Sequence, residues 1–368
     1  MPQQRLVRRP LPRGMFVVAA LGAAAISATW QSLTSVQACT NARVNPATGL
    51  QRRCALLGVG PALLPGKAAQ AEARVLAPAT GKISGGALPL TVGLGTCLVS
   101  SSAVVGQVAA GLSAGYRLID TAQRYGNEAG IGRALSDAFL GGLQREEVFV
   151  TTKVWPANYG YDKAIKSVRD SAAKLGLESI DLVLPHWPGV GTSIEQASDN
   201  FRLRQETWRA LETLKKEGVA KQIGVSNYNG RHLQELFGYA EIRPMASQFE
   251  IHPFNARSQL VELCQSQGIC VNGYSPLGGK GNPGAVTDKL LSSPVLTRIA
   301  SAHSKTPAQV ILRWHLQRGV TPIPKASTPA RIQENYNVFE FALSEDEMGE
   351  ITALDRKKFA VMDSEVFM

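Results

Sequence analysis

The sequence predicts a closed parallel (β/α)8 barrel of the TIM type, preceded by a non-globular N-terminal targeting segment. Three observations predict it. From Leu88 onward, short runs rich in Val and Ile alternate with amphipathic stretches of helical period. Eight such alternations over about 280 residues suit a ring of parallel strands better than an open sheet. Asp120, Lys153 and His186 each end a strand candidate, which is the end at which such a barrel assembles its site.

The first strand candidate, Thr91–Thr96, contains Gly93-Leu-Gly95, only the first two glycines of the G-x-G-x-x-G loop that announces a doubly wound sheet. The second is Tyr116–Thr121, followed by a helix over Asn127–Phe139. Val148–Val154 leads to a helix over Tyr161–Leu175, and Ile180–His186 to one over Glu206–Lys216. Lys221–Ser226 and Ala246–Ile251 precede helices at Arg231–Tyr239 and Ser258–Gln267. Cys270–Pro276 precedes Pro307–Arg318, whose start is marked by a capping Thr306 hydroxyl and a proline at the first helical position. Thr321–Lys325 is the eighth strand candidate and runs into a further helix.

Composition narrows the function. Of 368 residues, 18% are charged and 44% hydrophobic, a globular balance. The net charge of +10 is unevenly placed: residues 1–80 hold nine of the 39 Lys/Arg and one of the 29 acids, leaving 30 and 28 for the rest. The body is therefore almost neutral and calls for no nucleic-acid partner. Five cysteines, with no paired metal-ligand spacing, argue against a disulfide scaffold or structural zinc, and Cys97, Cys264 and Cys270 read as reduced thiols.

Residues 1–85 read as an address, and residues 86–368 as the barrel. An apolar run, Met15 to Trp30, follows Arg8, Arg9 and Arg13 and precedes the small-residue site Val36-Gln37-Ala38. It is too short and Ala-rich for a membrane span, so no stable insertion of the mature protein is expected. Arg52-Arg53 then opens a second weak apolar run ending at Ala69-Gln70-Ala71, in the manner of a twin-arginine signal. Stacked addresses of this kind predict a plastid (chloroplast) protein, with stroma and thylakoid lumen both open, processed between Cys39 and Arg74. The alternative is a disordered tail on a cytoplasmic protein.

Carbonyl reduction needs a hydride donor and a proton donor to the developing alkoxide. A tyrosine, with an ordinary pKa of about 10, becomes a better donor beside an ammonium that stabilises tyrosinate. A carboxylate can hold that ammonium, and a neutral imidazole can hydrogen-bond the substrate oxygen. Tyr125, five residues beyond Asp120, completes that set with Lys153, Asp120 and His186.

The motifs around these residues resemble the aldo-keto reductase family. Gly115-Tyr-Arg-Leu-Ile-Asp-Thr-Ala-Gln-Arg-Tyr-Gly-Asn-Glu128 resembles its signature around the catalytic Asp and Tyr. Thr152-Lys153-Val-Trp155 and Asp181-Leu-Val-Leu-Pro-His186-Trp-Pro188 resemble the segments that carry its Lys and His. The resemblance runs from about Leu88 to Asp355 and implies a monomeric NADPH-dependent enzyme acting on a small-molecule carbonyl. It implies that Ser226, Asn227 and Gln248 bind the nicotinamide carboxamide, that Tyr274 stacks on its ring, and that Ser275 and Leu277 adjoin it. It implies that the segment from Lys325 through Ser327, Thr328 and Arg331 to Glu334 and Asn335 grips the adenosine phosphate. A helix start at that position favours an anion, and two cations with one guanidinium fork favour the 2'-phosphate of NADPH over NADH.

Three positions depart from the family pattern. Ala326 stands where Ser is usual, with Ser327 and Thr328 nearby as substitutes. Cys97 stands where many relatives have Trp, which removes an aromatic wall and opens the substrate pocket; Trp155 and Trp187 remain as walls. Pro185 precedes His186 where an aliphatic residue is usual and could shift the histidine backbone. An NADPH-binding regulatory or scaffold subunit is the alternative reading. A metal-dependent hydrolase finds no support in five histidines without paired ligand spacing.

Overall fold

The structure, a computed structural model, describes residues 88–191, 197–363 and 366–367. The targeting segment predicted over residues 1–85 lies outside the described residues. The chain alternates strand and helix: β1 (Leu94–Gly95), α1 (Ala103–Ser113), β2 (Leu118–Asp120), α2 (Glu128–Leu140), β3 (Phe149–Val154), α3 (Tyr161–Leu175), β4 (Ile180–Pro185) and α4 (Ala197–Lys216). It continues with β5 (Ala220–Ile223), β6 (Val225–Ser226), α5 (Gly230–Tyr239), β7 (Ala246–Glu250), α6 (Ser258–Ser266), β8 (Cys270–Tyr274), α7 (Thr287–Leu291) and α8 (Pro294–Ala302). Then follow α9 (Pro307–Gln317), β9 (Val320–Ile323), α10 (Pro329–Tyr336) and α11 (Glu345–Thr352).

All strand pairs are parallel, in two arcs ordered β1-β2-β3-β4-β5 and β6-β7-β8-β9. Two joints close them into a barrel. At the first, one stave passes from β5 to β6 through Gly224, whose N–H donates to Val183 O at 3.1 Å. A Cβ at Gly224 would lie 2.3 Å from Ala246 O, so the two staves meet too closely there for any side chain. At the second joint, Gly93 and Gly95 donate to the carbonyls of Pro322 and Pro324, both at 2.9 Å. Neither proline can donate in return, so this ladder carries bonds in one direction only. That is why the regular strands are shorter than the predicted Thr91–Thr96 and Thr321–Lys325.

Period-two alternation divides the strand side chains between two cores. Leu118, Phe149, Leu182, Leu184 and Ala246 pack with Leu88 inside the barrel. Their neighbours Ile119, Val150 and Val183 belong to the larger core beneath the helices, with Val108, Val168 and Ile311. Burial of each such side chain contributes on the order of 1.5–3 kcal/mol. In the same alternation Asp120 follows Leu118, Lys153 follows Phe149 and Thr151, and His186 follows Leu182 and Leu184, so the interior ladder ends in ionisable groups.

Helix α4 begins about ten residues before the predicted Glu206. Its first half has polar anchoring instead of an apolar stripe: Arg202 meets Glu206 at 2.9 Å, and buried Arg204 forms a fork with Glu235 at 2.6 and 2.7 Å. Asn127, predicted to open α2, stands just before it. Its Nδ2 donates to the carbonyls of Thr96 and Val99, and its Oδ1 accepts from Thr121, tying the loop after β1 to the loop after β2. Thr306 caps α9 with a reciprocal bond to Gln309, as its sequence predicts. Cys97, Cys264 and Cys270 are free thiols. Among the described residues, no helix is long and apolar enough to cross a membrane.

Candidate active site

Asp120 is the last residue of β2, and Lys153 lies near the end of β3, each almost wholly buried. Lys153 Nζ meets Asp120 Oδ1 at 2.6 Å and donates to Thr121 O at 3.0 Å. Gln248 from β7 donates to the other Asp120 oxygen at 2.8 Å, so the carboxylate is held from two sides. A buried charge needs such partners, since an unpaired one costs several kcal/mol. Tyr125 follows on the loop after β2, its ring centroid 5.3 Å from Lys153 Nζ and 5.8 Å from the His186 ring. The four residues predicted to carry the chemistry are thus brought together.

Their electrostatics differ from the sequence expectation at one point. Burial pushes the Tyr125 hydroxyl well above its ordinary pKa, with Cys97 and Asp120 adding to the shift. A tyrosine made more acidic by Lys153 was expected. In the folded chain the ammonium is already paired with Asp120, and desolvation of the phenol prevails. Tyr125 therefore rests as a neutral phenol. His186 meets the expectation: burial first, then Lys153 and Arg124, hold its imidazole well below the usual histidine value, in the neutral form. Its Nδ1 is buried without a hydrogen-bond partner among the described residues.

Pro185 does not displace this histidine. It pairs in register with Val154, and His186 N donates to Val154 O at 3.0 Å. By alternation the missing proline N–H faces the β5–β6 side, beyond the last β4–β5 pair at Val183 and Ile223, so no ladder bond is lost to β3.

A cavity of about 680 Å³ lies above the barrel mouth. Asp120, Tyr125 and His186 line it, and Lys153 sits behind them, against Asp120 and the Tyr125 ring. Cys97, Trp155 and Trp187 form walls, with the Trp155 ring 5.3 Å and edge-on from His186. Ser226, Asn227, Gln248 and Tyr274 line the adjoining stretch. Tyr274 donates to Asn227 Oδ1 at 2.7 Å, and Asn227 Nδ2 donates to His186 O at 2.8 Å. Asn227 and Ser275 hold left-handed backbone, φ 62° and 50°, an uncommon state for non-glycine residues that tends to gather at functional sites. Leu277 and Ser275 also face the cavity.

On the β9–α10 side the cavity meets Lys325, Arg331, Glu334 and Asn335. Lys325 and Arg331 are exposed, with no ion-pair partner among the described residues, and Arg331 stands in the first turn of α10. Ser327 and Thr328 lie outside the lining. Both are exposed, and the Thr328 hydroxyl caps α10 by accepting from Arg331 N, so it is committed locally. Ala326 is buried, and its carbonyl accepts from Gln107 at 2.8 Å. The donor set suits a nicotinamide dinucleotide phosphate: two unpaired cations at a helix start for an anion, and neutral amides and hydroxyls nearer the tetrad.

Sequence reasoning missed several liners: Arg124, Leu98 and Lys280. Arg124 had one available signal, its place directly before Tyr125 in a strand-end loop. The C-terminal tail also reaches the site, for the Phe367 ring packs 5.7 Å from the Trp187 ring. Among the described residues, no three His, Cys, Asp or Glu side chains are grouped to hold a metal ion.

Residues 91–356 match the sequence profile of the Aldo/keto reductase family. The uncharacterized oxidoreductase YtbE of Bacillus subtilis (strain 168) is 43% identical over 265 residues, covering 72% of this chain and 88% of that protein. Glyoxal reductase of the same bacterium is 43% identical over 249 residues, covering 68% and 82%. A solved aldo-keto reductase from Bombyx mori, in complex with NADP, aligns with a TM-score of 0.69 at 35% identity, covering 76% of this chain and 92% of its own. The chain, with its tetrad at the mouth of a (β/α)8 barrel, belongs to the aldo/keto reductase family.

Proposed function

We propose that the protein reduces aldehydes or ketones to alcohols with NADPH, Tyr125 giving the proton. The observation that carries this reading is a neutral phenol and a neutral imidazole facing one cavity, above a buried ammonium–carboxylate pair. The bound nicotinamide supplies the hydride. Tyr125 donates its hydroxyl proton to the carbonyl oxygen as charge develops there. The Lys153 ammonium, kept in place by Asp120, stabilises the phenolate left behind, and Gln248 fixes the other Asp120 oxygen. His186, being neutral, hydrogen-bonds the substrate oxygen without competing as an acid. Trp155 and Trp187 restrict water around the reacting carbonyl.

Preference for NADPH over NADH rests on Lys325 and Arg331, and the NADP of the Bombyx mori relative supports it. Ser226, Asn227 and Gln248 would hold the carboxamide and Tyr274 the ring, with Ser275, Leu277, Glu334 and Asn335 adjoining the cofactor. A monomeric enzyme, and plastid delivery by residues 1–85, belong to the same proposal; the second rests on sequence pattern. Tyr125→Phe tests the chemistry. Positioned acid catalysis contributes about 10²–10⁴-fold, so kcat for aldehyde reduction should fall at least a hundredfold while NADPH affinity stays within about threefold. A variant with kcat within threefold of wild type would overturn the role.

A further inference from the structure

Beside the active-site cavity lies a second one of about 420 Å³, and the two share Arg124 and Trp155. The second is markedly cationic. Lys163, Lys166 and Lys174 line it with Arg124, against a single lining carboxylate, Asp170, which already pairs with Lys166 at 2.8 Å. Its amide groups are largely committed. Gln123 Oε1 accepts from Trp155 N and Asn158 Nδ2, and its Nε2 donates to Ser171. The charged groups left to meet a ligand are the Arg124 guanidinium and the Lys163 and Lys174 ammoniums.

Arg124 stands at the junction. It is exposed, and among the described residues no carboxylate lies within ion-pair distance of it. Its guanidinium carbon lies 5.5 Å from the centroid of the Trp155 ring, which gives the fork a face to rest on. It directly precedes Tyr125, and its field reaches His186. A solitary surface arginine is ordinarily just solvated. This one lines the reacting cavity and opens onto a groove of like charge, where focused potential would concentrate anions.

We propose that Arg124 selects carbonyl substrates bearing an anionic group, a carboxylate or a phosphate ester, and that the Lys163–Lys174 groove receives the anionic end of longer ones. This rests on the carbonyl-reduction reading. The charge-assisted fork favours an oxyanion that can take two parallel N–H bonds, and both classes of oxyanion can.

The test is kcat/KM with NADPH for two matched pairs: succinic semialdehyde against butanal, and glyceraldehyde 3-phosphate against glyceraldehyde. The readout is the ratio within each pair, so a general loss of activity does not imitate the effect. Wild type should favour the anionic member of at least one pair about tenfold or more, and the pair concerned distinguishes carboxylate from phosphate. Arg124→Gln should reduce that ratio about 10- to 100-fold, as expected for loss of a hydrogen-bonded charge, and Arg124→Lys should retain part of it. Added salt should lower the wild-type ratio. A wild-type ratio near one with good turnover of the neutral aldehydes would overturn this inference alone, as would a ratio that Arg124→Gln leaves unchanged. Failure to turn over any of the four compounds would overturn the reductase reading and this inference with it.

Discussion

Lys153→Met removes the ammonium from a site where almost nothing can replace it. Lys153 is 1% exposed and Asp120 3%, and the ion pair is 2.6 Å long. After the change the carboxylate keeps Gln248 at 2.8 Å as its side-chain hydrogen-bond donor. Removing one partner of a buried pair costs about 3–5 kcal/mol, because the other charge stays buried without compensation. At about 2–4 °C per kcal/mol for a domain this large, Tm should fall by roughly 6–20 °C. The double variant Lys153→Met, Asp120→Asn removes both charges, and an asparagine oxygen can still accept from Gln248. It should regain at least about 2 kcal/mol over the single variant. Urea unfolding of the full chain, followed by tryptophan fluorescence, measures the cycle. Both variants should be catalytically impaired, so stability, not turnover, is the discriminating readout. A single variant within about 1 kcal/mol of wild type, or a double variant less stable than the single, would refute the buried-pair argument.

Arg331→Ala should weaken NADPH about thirtyfold, the equivalent of roughly 2 kcal/mol for a charge-assisted fork, and leave NADH nearly unchanged; equal NADPH affinity by fluorescence titration would show that Arg331 does not read the phosphate. His232 titrates against stability. Burial, then Arg204 and Arg231, hold it down to about 4, and its neutral form is satisfied on both sides, Nε2 donating to Phe367 O and Nδ1 accepting from Asn229 N. Because its pKa is depressed on folding, the unfolded chain binds the proton first as pH falls. Its contribution is full above about pH 6.5 and is lost on acidification towards 4, up to about 3 kcal/mol. Unfolding free energies at pH 7.5 and 5.0 should therefore show a shallower pH slope for His232→Gln than for wild type, and identical slopes would sink the assignment.

The tetrad was legible because two simple rules coincide on it. Strands alternate side chains with period two, and a closed barrel works at the C-terminal ends of its strands, so Asp120, Lys153 and His186 could be assigned to one rim before any coordinate was known. Arg124 was not legible, since one cation in a loop reads as solvated until the cavity behind it is visible. The titration of Tyr125 was misjudged for a related reason: sequence places an ammonium near the phenol but does not show how far burial of the hydroxyl outweighs it. The first half of α4 carried no apolar stripe, and its anchors, Glu235 for Arg204 and the Val190–Gly191 backbone for Asn200, lie elsewhere in the chain.

The same contacts explain why the site depends on barrel closure. Asp120 on β2 is held by Lys153 on β3 and by Gln248 on β7, which lie in different arcs of the sheet. Asn227, directly after β6, accepts from Tyr274 on β8 and donates to the carbonyl of His186, directly after β4. No local segment could assemble this set. Each bond spans staves far apart in sequence, and the Gly224 joint, which leaves no room for a Cβ against Ala246 O, sets how closely β6 approaches β7. Positioning at the reacting carbonyl is therefore a property of the ring's registers. The loops, where Arg124 and the Phe367 tail lie, can vary substrate choice while the Asp120–Lys153 pair and Gln248 beneath keep their partners.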